Sequence, residues 1–282
     1  MKISINQEQI QETKSKDSFD VRIVRYEYIH SIKDEFFEEL VKIANPKSNE
    51  SILDAGCGYG SVTREILKRK KDKKLICFLA DSNHTQLLRA KEELTNLNNT
   101  HKSELKFFID NLIDTKFKEN TFDTIIAKMV IHEIPFKKQQ QAIENAYRIL
   151  KPGGKLIIWD MSLDAKTQKF IQEIIRMKDK LAGFKTLERN RYFLRFDEIK
   201  TLLSNSGFSK VKNEYKITSP VITHKRLEQE FGNDILKLNK WHKFIREKAK
   251  ELEPKILKQL QMKDSGDSIS FVPQKAIITA VK

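Results

Sequence analysis

The chain has 282 residues, long enough to bury a full hydrophobic core, and one enlarged domain is the simplest reading. Its 53 lysines and arginines against 39 acids give a formal charge of +14, which would attract phosphate polymers yet equally fits solvated helix faces such as 68–74. Two cysteines, Cys57 and Cys77, supply neither a disulfide framework nor a metal-site spacing, no apolar run reaches the ~20 residues of a membrane span, and the polar N-terminus lacks a secretory pattern, so a soluble, cytoplasmic setting is expected.

Residues 1–18 are polar and mixed in charge. Across 19–44, Ile32, Phe36, Phe37, Leu40, Val41 and Ile43 recur at helical spacing, and Asn45-Pro46 ends the predicted helix. Next comes the run Ser51-Ile52-Leu53-Asp54-Ala55-Gly56-Cys57-Gly58-Tyr59-Gly60, a short apolar strand ending in an acid and three alternating glycines. A helix pattern (61–71) follows at once. Glycines there permit positive φ and let backbone amides approach a ligand. The spacing G-x-G-x-G differs from the dinucleotide fingerprint G-x-G-x-x-G, and an acid at the mouth of the loop would repel a diphosphate. The loop therefore reads as a site for a positively charged nucleoside cofactor.

A second strand (75–80) ends in Asp81, 27 residues beyond Asp54, where α/β folds place the acid that holds ribose hydroxyls. A third (105–109) ends in Asp110-Asn111. A fourth (122–127) and a fifth (155–159) follow, the fifth after the chain-turning Leu150-Lys151-Pro152-Gly153-Gly154. Helix patterns at 87–97 and 137–150 fill the gaps, which predicts a parallel sheet covered on both faces. Beyond it, 165–181 and 197–206 read as helices, Gly207 as a stop, and 208–217 as strand six. A long connection, 218–268, carries an apolar stripe at Leu238, Trp241, Ile245, Ala249 and Leu252, then Pro254 suited to open another helix.

The runs "LDAGCGYG", Asp81, the "FID" acid Asp110 and "RILKPGGKLIIWD" together resemble the class I S-adenosylmethionine (SAM)-dependent methyltransferases, in particular the small-molecule branch that includes quinone-biosynthesis enzymes. The resemblance covers roughly 50–211. It implies an α/β, doubly wound Rossmann-like sheet of seven strands, six parallel and the last antiparallel, with strand seven inside 269–281 and Pro273 at an irregular start. The implied organisation is an N-terminal helical segment (1–45), a SAM-binding core (46–217), a helical substrate-lid insertion (218–268) and the last core strand (269–282). By the same resemblance, Asp54, Gly56 and Gly58 approach the methionine part of SAM, and Asp81, with Ser82 beside it, binds the ribose. Asp110 accepts from the adenine amino group, Asn111 and Leu112 flank the ring, and the backbone at Ala127 and Lys128 borders the cofactor's amino group. Lys128 stands where the family often has a small residue, and Glu133 where a second histidine is common.

Strand six and the antiparallel strand seven share the sheet edge at which α/β ligands bind, so the insertion and the segment 160–195 are expected to cover a methyl-acceptor pocket. Residues 223–263 hold eleven Lys or Arg against six acids, a balance that fits an anionic acceptor. Methyl transfer from a sulfonium is an in-line displacement that requires alignment and exclusion of water. A base is useful for an oxygen or protonated nitrogen acceptor. His132 at the end of strand four is the first candidate, ahead of Glu133, His224 and His242. "AKMVIHEIPF" holds no Asn-Pro-Pro-Tyr or Asp-Pro-Pro-Tyr run, which by the resemblance disfavours adenine-amine or glutamine methylation; it has no cysteine for attack on a pyrimidine and no carboxylate cluster for magnesium, so no metal is expected. The leading expectation is transfer from SAM to an oxygen or nitrogen of a small organic molecule. The alternatives are an RNA methyltransferase that uses the basic surface and a non-catalytic subunit that keeps the fold.

Overall fold

The computed structural model describes residues 32–98 and 103–282. Tyr26 and Tyr28, which the sequence offers as residues closing over the cofactor from the N-terminal helix, and the start of that helix lie outside the described residues. The helix is seen as α1 (Asp34–Ala44), and Phe36, Phe37, Leu40, Val41 and Ala44 are its buried face. Asn45 closes it in the left-handed region at φ 40°, and Pro46 follows.

The core alternates as the pattern requires. β1 (Ser51–Ala55), α2 (Ser61–Arg69), β2 (Ile76–Asp81), α3 (His84–Asn98) and β3 (Glu104–Ile109) come first. β4 (Phe122–Lys128), α4 (Phe136–Ile149) and β5 (Leu150–Met161) follow, and then α5 (Ala165–Ala182), α6 (Lys185–Asn190), α7 (Phe196–Asn205) and β6 (Ser209–Ile217). The strand closing the sheet is β10 (Lys275–Val281). The order across the sheet is β3-β2-β1-β4-β5-β10-β6, with β10 antiparallel to both neighbours and the other pairs parallel. The expected six parallel strands and one antiparallel strand are thus observed.

Side chains along a strand point alternately to opposite faces, and both faces here are apolar. Ile52, Ile126, Ile157 and Ile277 pack beneath α1, α2 and α3. Their neighbours Leu53, Ile125, Leu156, Ile158 and Ile278 pack beneath α4 and α7. Pro152-Gly153-Gly154 lies within β5, where the register with β4 shifts between Phe122 and Thr124. A strand pattern with Pro and two Gly reads as a turn because those residues rarely sit in a ladder.

The connection between β6 and β10 holds β7 (Val221–Ile222), α8 (Arg226–Gln229), α9 (Ile235–Ala249), α10 (Pro254–Gln259), β8 (Lys263–Asp264) and β9 (Ile269–Phe271). The three short strands form a separate sheet, β7-β9-β8. The stripe Leu238, Trp241, Ile245 lies in a core that takes in Met161 at the end of β5. It joins Phe170, Ile171 and Ile174 of α5 in a third core, and Trp241 Nε1 donates to the Ile174 carbonyl at 2.7 Å. Asp164 caps α5 by accepting from the amides of Lys166 and Thr167, and its second oxygen takes Gln259 Nε2 at 2.7 Å. The insertion and α5 therefore pack on each other around a third core, and together with the segment after α6 they are called the cap.

Candidate active site

The carboxyl ends of β1 to β5 border a cavity of about 510 Å³. Asp54, Gly56, Gly58, Asp81, Ser82, Asp110, Asn111, Leu112, Lys128, His132 and Glu133 all line it, so these eleven residues read from the sequence reach one space. His224 and His242 do not line it. His242 is buried, bonded to Thr223 Oγ1 at 2.7 Å, and burial lowers its pKa.

The glycine loop is shaped by positive φ at Gly56 (67°) and Gly58 (53°). A Cβ on Gly56 would lie 2.4 Å from Val130 Cγ2, whereas one on Gly58 would meet only Gln86 Oε1 at 3.9 Å. Gly56 is thus required by the approach of the loop after β4, and Gly58 presents open backbone to the cavity. Gly56→Ala is expected to lower stability by about 1–3 kcal/mol through left-handed backbone strain and displacement of Val130. An unchanged denaturation midpoint would contradict that packing.

Asp54 is fully buried, and burial pushes its carboxyl up to about 6, against the hydrogen bonds from Thr63 N (3.2 Å) and Thr63 Oγ1 (2.8 Å) that favour the charge. Asp81 accepts from the amides of Gly58 and Asn83, each at 2.8 Å, which ties the glycine loop to β2. Burial raises its pKa as well. Asp110 accepts from the Lys116 amide at 3.1 Å, and Asn111 Oδ1 takes the amides of Ile113 and Asp114, folding the loop after β3. Asn145 Nδ2 anchors that loop through the Leu112 and Ile113 carbonyls. Lys128 Nζ donates to Ser61 Oγ at 3.2 Å and lies 5.2 Å and 5.5 Å from the Phe37 and Trp159 ring centres. The bulk at that position is thus accommodated by two aromatic faces.

After β4, Met129 adopts φ 58°, a strained value for this residue, and a 3-10 turn (Ile131–Glu133) carries the two acid–base candidates. His132 Nδ1 donates to Asp160 Oδ1 at 2.6 Å, and Nε2 lies 3.5 Å from Glu133 Oε1. Phe193 stacks on the imidazole at 5.0 Å. Burial alone would lower the His132 pKa, but the flanking Asp160 and Glu133 carboxylates push it up to about 9. At neutral pH this histidine holds its proton, contrary to the expectation of a group titrating near 7.

The cap supplies the remaining wall. Arg191 Nη1 grips Asp179 at 2.9 Å and 3.1 Å, and its Nη2 reaches Glu133 at 2.5 Å. Lys178 pairs with Asp179 at 3.0 Å and Glu230 at 2.9 Å, and Arg226 pairs with Glu230 at 3.2 Å. Lys178, Arg191, Arg226 and Glu230 all line the cavity. Sequence reasoning did not single them out, nor Asp160. A signal existed for Lys178, since Ile171, Ile174, Ile175 and Lys178 share one helix face and the first three are core residues.

Residues 53–156 match the family described as methyltransferase domain. The ubiquinone/menaquinone biosynthesis C-methyltransferase UbiE of Rickettsia prowazekii is 31% identical over 132 residues, 46% of this chain and 50% of that protein. The tRNA N(3)-cytidine methyltransferase METTL2 of Bos taurus is 28% identical over 197 residues, 67% of this chain and 48% of that protein. The YcgJ protein of Bacillus subtilis shares the fold with a TM-score of 0.70 at 15% identity, over 89% of this chain and 99% of that one. The chain spans about half the length of these two relatives.

Residues 53–156 are thus a methyltransferase domain, and the seven-stranded sheet with a glycine loop at its switch point has the class I SAM-dependent methyltransferase fold. Within that fold, this domain is similar to the quinone-biosynthesis enzymes.

Proposed function

We propose that this protein transfers the methyl group of SAM to an oxygen or nitrogen of a small organic molecule. The observation that supports this most is the single cavity: core acids and glycines line one part, and the cap lines another with Arg191, Arg226 and Phe193. In this reading SAM lies across the strand ends. Gly56, Gly58 and Asp54 face its methionine part, and Lys128 borders the amino group. Asp81 and Ser82 hold the ribose, and Asp110, Asn111 and Leu112 surround the adenine. Each Asp81 oxygen accepts one backbone amide and keeps a lone pair for a ribose hydroxyl. Asp81→Ala should weaken binding of S-adenosylhomocysteine by roughly 1–3 kcal/mol. Unchanged affinity by calorimetry in a folded variant would remove the ribose role.

The acceptor occupies the part of the cavity lined by the 3-10 turn and the cap, where residues 218–268 act as a lid. His132 and Glu133 handle the acceptor's proton there, with Asp160 and Arg191 fixing their orientation. The displacement itself needs alignment more than covalent participation, and the lid keeps water out. An imidazole and a carboxylate suit an acceptor that carries O–H or N–H.

The charge of +14 and the bovine relative favour a second reading, methylation of RNA. Incubation with methyl-labelled SAM and a cell extract separates the two. Label in low-molecular-weight organic products supports the proposal, and mass analysis of the product assigns the atom. Label in RNase-sensitive polymer replaces it with the RNA reading. Failure to take up S-adenosylhomocysteine points to a non-catalytic subunit.

A further inference from the structure

We propose that the acceptor carries a small oxyanion, a carboxylate or a phosphate, which docks on the cap wall formed by Lys178, Arg191 and Arg226. This rests on the methyltransferase reading above and deepens it. The three cations are at least nine-tenths buried and all line the cavity, together with two carboxylates, Glu133 and Glu230. The third balancing carboxylate, Asp179, is fully buried and does not line the cavity; it pairs with Lys178 and Arg191 from the protein side. The wall is neutral as a whole, but the face it turns to the ligand has one positive charge more than it has negative.

Two further observations point the same way. Arg191 Nε is buried without a hydrogen-bond partner among the described residues, on a guanidinium that borders the cavity. A buried donor of that kind is costly unless a ligand accepts from it. The cofactor also brings a sulfonium into the same cavity. An anion on the acceptor is attracted by that sulfonium as well as by the wall, with the acids Asp54, Asp81 and Asp110 on the cofactor side. Guanidinium forks match carboxylate and phosphate oxygens in geometry as well as charge. The wall is built by α5, α8 and the segment after α6, and the glycine loop by the core strands. In this proposal the oxyanion is a docking handle and not the methylated atom, so the product keeps its charge.

The full chain is incubated with methyl-labelled SAM and a cell extract. Polymers are removed by filtration, and the filtrate is passed over an anion exchanger at pH 8. The expected result is a labelled product that is retained and released by salt, and phosphatase treatment tells phosphate from carboxylate. Labelled product in the flow-through overturns the proposal while leaving the methyltransferase reading in place. Absence of any labelled small product overturns both. The paired variant Lys178→Met/Asp179→Asn removes the cation in excess on that face with the carboxylate behind it, so the wall as a whole stays neutral. It should raise KM for the partly purified acceptor at least tenfold, with S-adenosylhomocysteine affinity reporting its folding. An unchanged KM overturns the docking role.

Discussion

Arg191→Met is expected to cost about 3–5 kcal/mol of folding stability, because it breaks a buried ion pair by removing one partner. The guanidinium is 6% exposed and bridges two elements: Asp179 in α5, which has no exposed surface, and Glu133 in the turn after β4. In the variant, Asp179 keeps the Lys178 ammonium at 3.0 Å, and Glu133 loses the Arg191 guanidinium. The loss is read as a lower urea midpoint at unchanged slope. The double variant Arg191→Met/Asp179→Asn tests the cause, since it removes the charge left behind and should recover part of the loss. A loss below about 1 kcal/mol would place Arg191 with ordinary surface pairs. It would also remove the argument that the cap and the turn after β4 are held together by charge.

How much of this was legible in the sequence depended on the range of the signal. The glycine loop and the acids Asp54, Asp81 and Asp110 are local: each is a strand end followed by a turn, and a strand's carboxyl end is where an α/β sheet binds ligands. Those residues were found by reading a few positions at a time, and they converge on one cavity. The sheet followed from alternation of strands and helices. The small sheet β7-β9-β8 left no trace, because strands of two or three residues are too short to show alternation. The stripe on α9 was plain, but its partner was not. An apolar face says that it is covered and not by what, and here the cover is α5.

The charged wall was hidden for a different reason. In a chain with 53 lysines and arginines, three buried cations look like the rest. Lys178 belongs to the core face of α5 only because its spacing from Ile171, Ile174 and Ile175 puts it there. Arg191 and Arg226 sit in short or irregular segments with no period to betray them. Asp160 was read as the first residue of the segment after the fifth strand, and its bond to His132 spans 28 residues, which no local pattern reports.

That bond sets the second large effect, on pH. His132 has an ordinary value near 6.5 and is raised to about 9 in the folded protein, with Asp160 and Glu133 as the cause. A pKa raised on folding adds stability that is fully present below about 6.5 and is lost as pH climbs through about 9. The shift is worth on the order of 3 kcal/mol. Wild type should therefore lose stability between pH 6.5 and 9.5, and His132→Gln should show a flatter profile. Activity should move in the opposite direction. If His132 is the base for the acceptor, only its deprotonated form works, and turnover should rise nearly tenfold per pH unit from neutral toward 9. Arg191 limits this coupling by drawing on the Glu133 carboxylate from the other side. A turnover profile that is flat from pH 7 to 9 in wild type would sink the base role. It would leave His132 as a fixed positive charge that stiffens the turn after β4. The same titration thus trades stability for reactivity, and the two profiles, measured on one preparation, should cross over the same pH window.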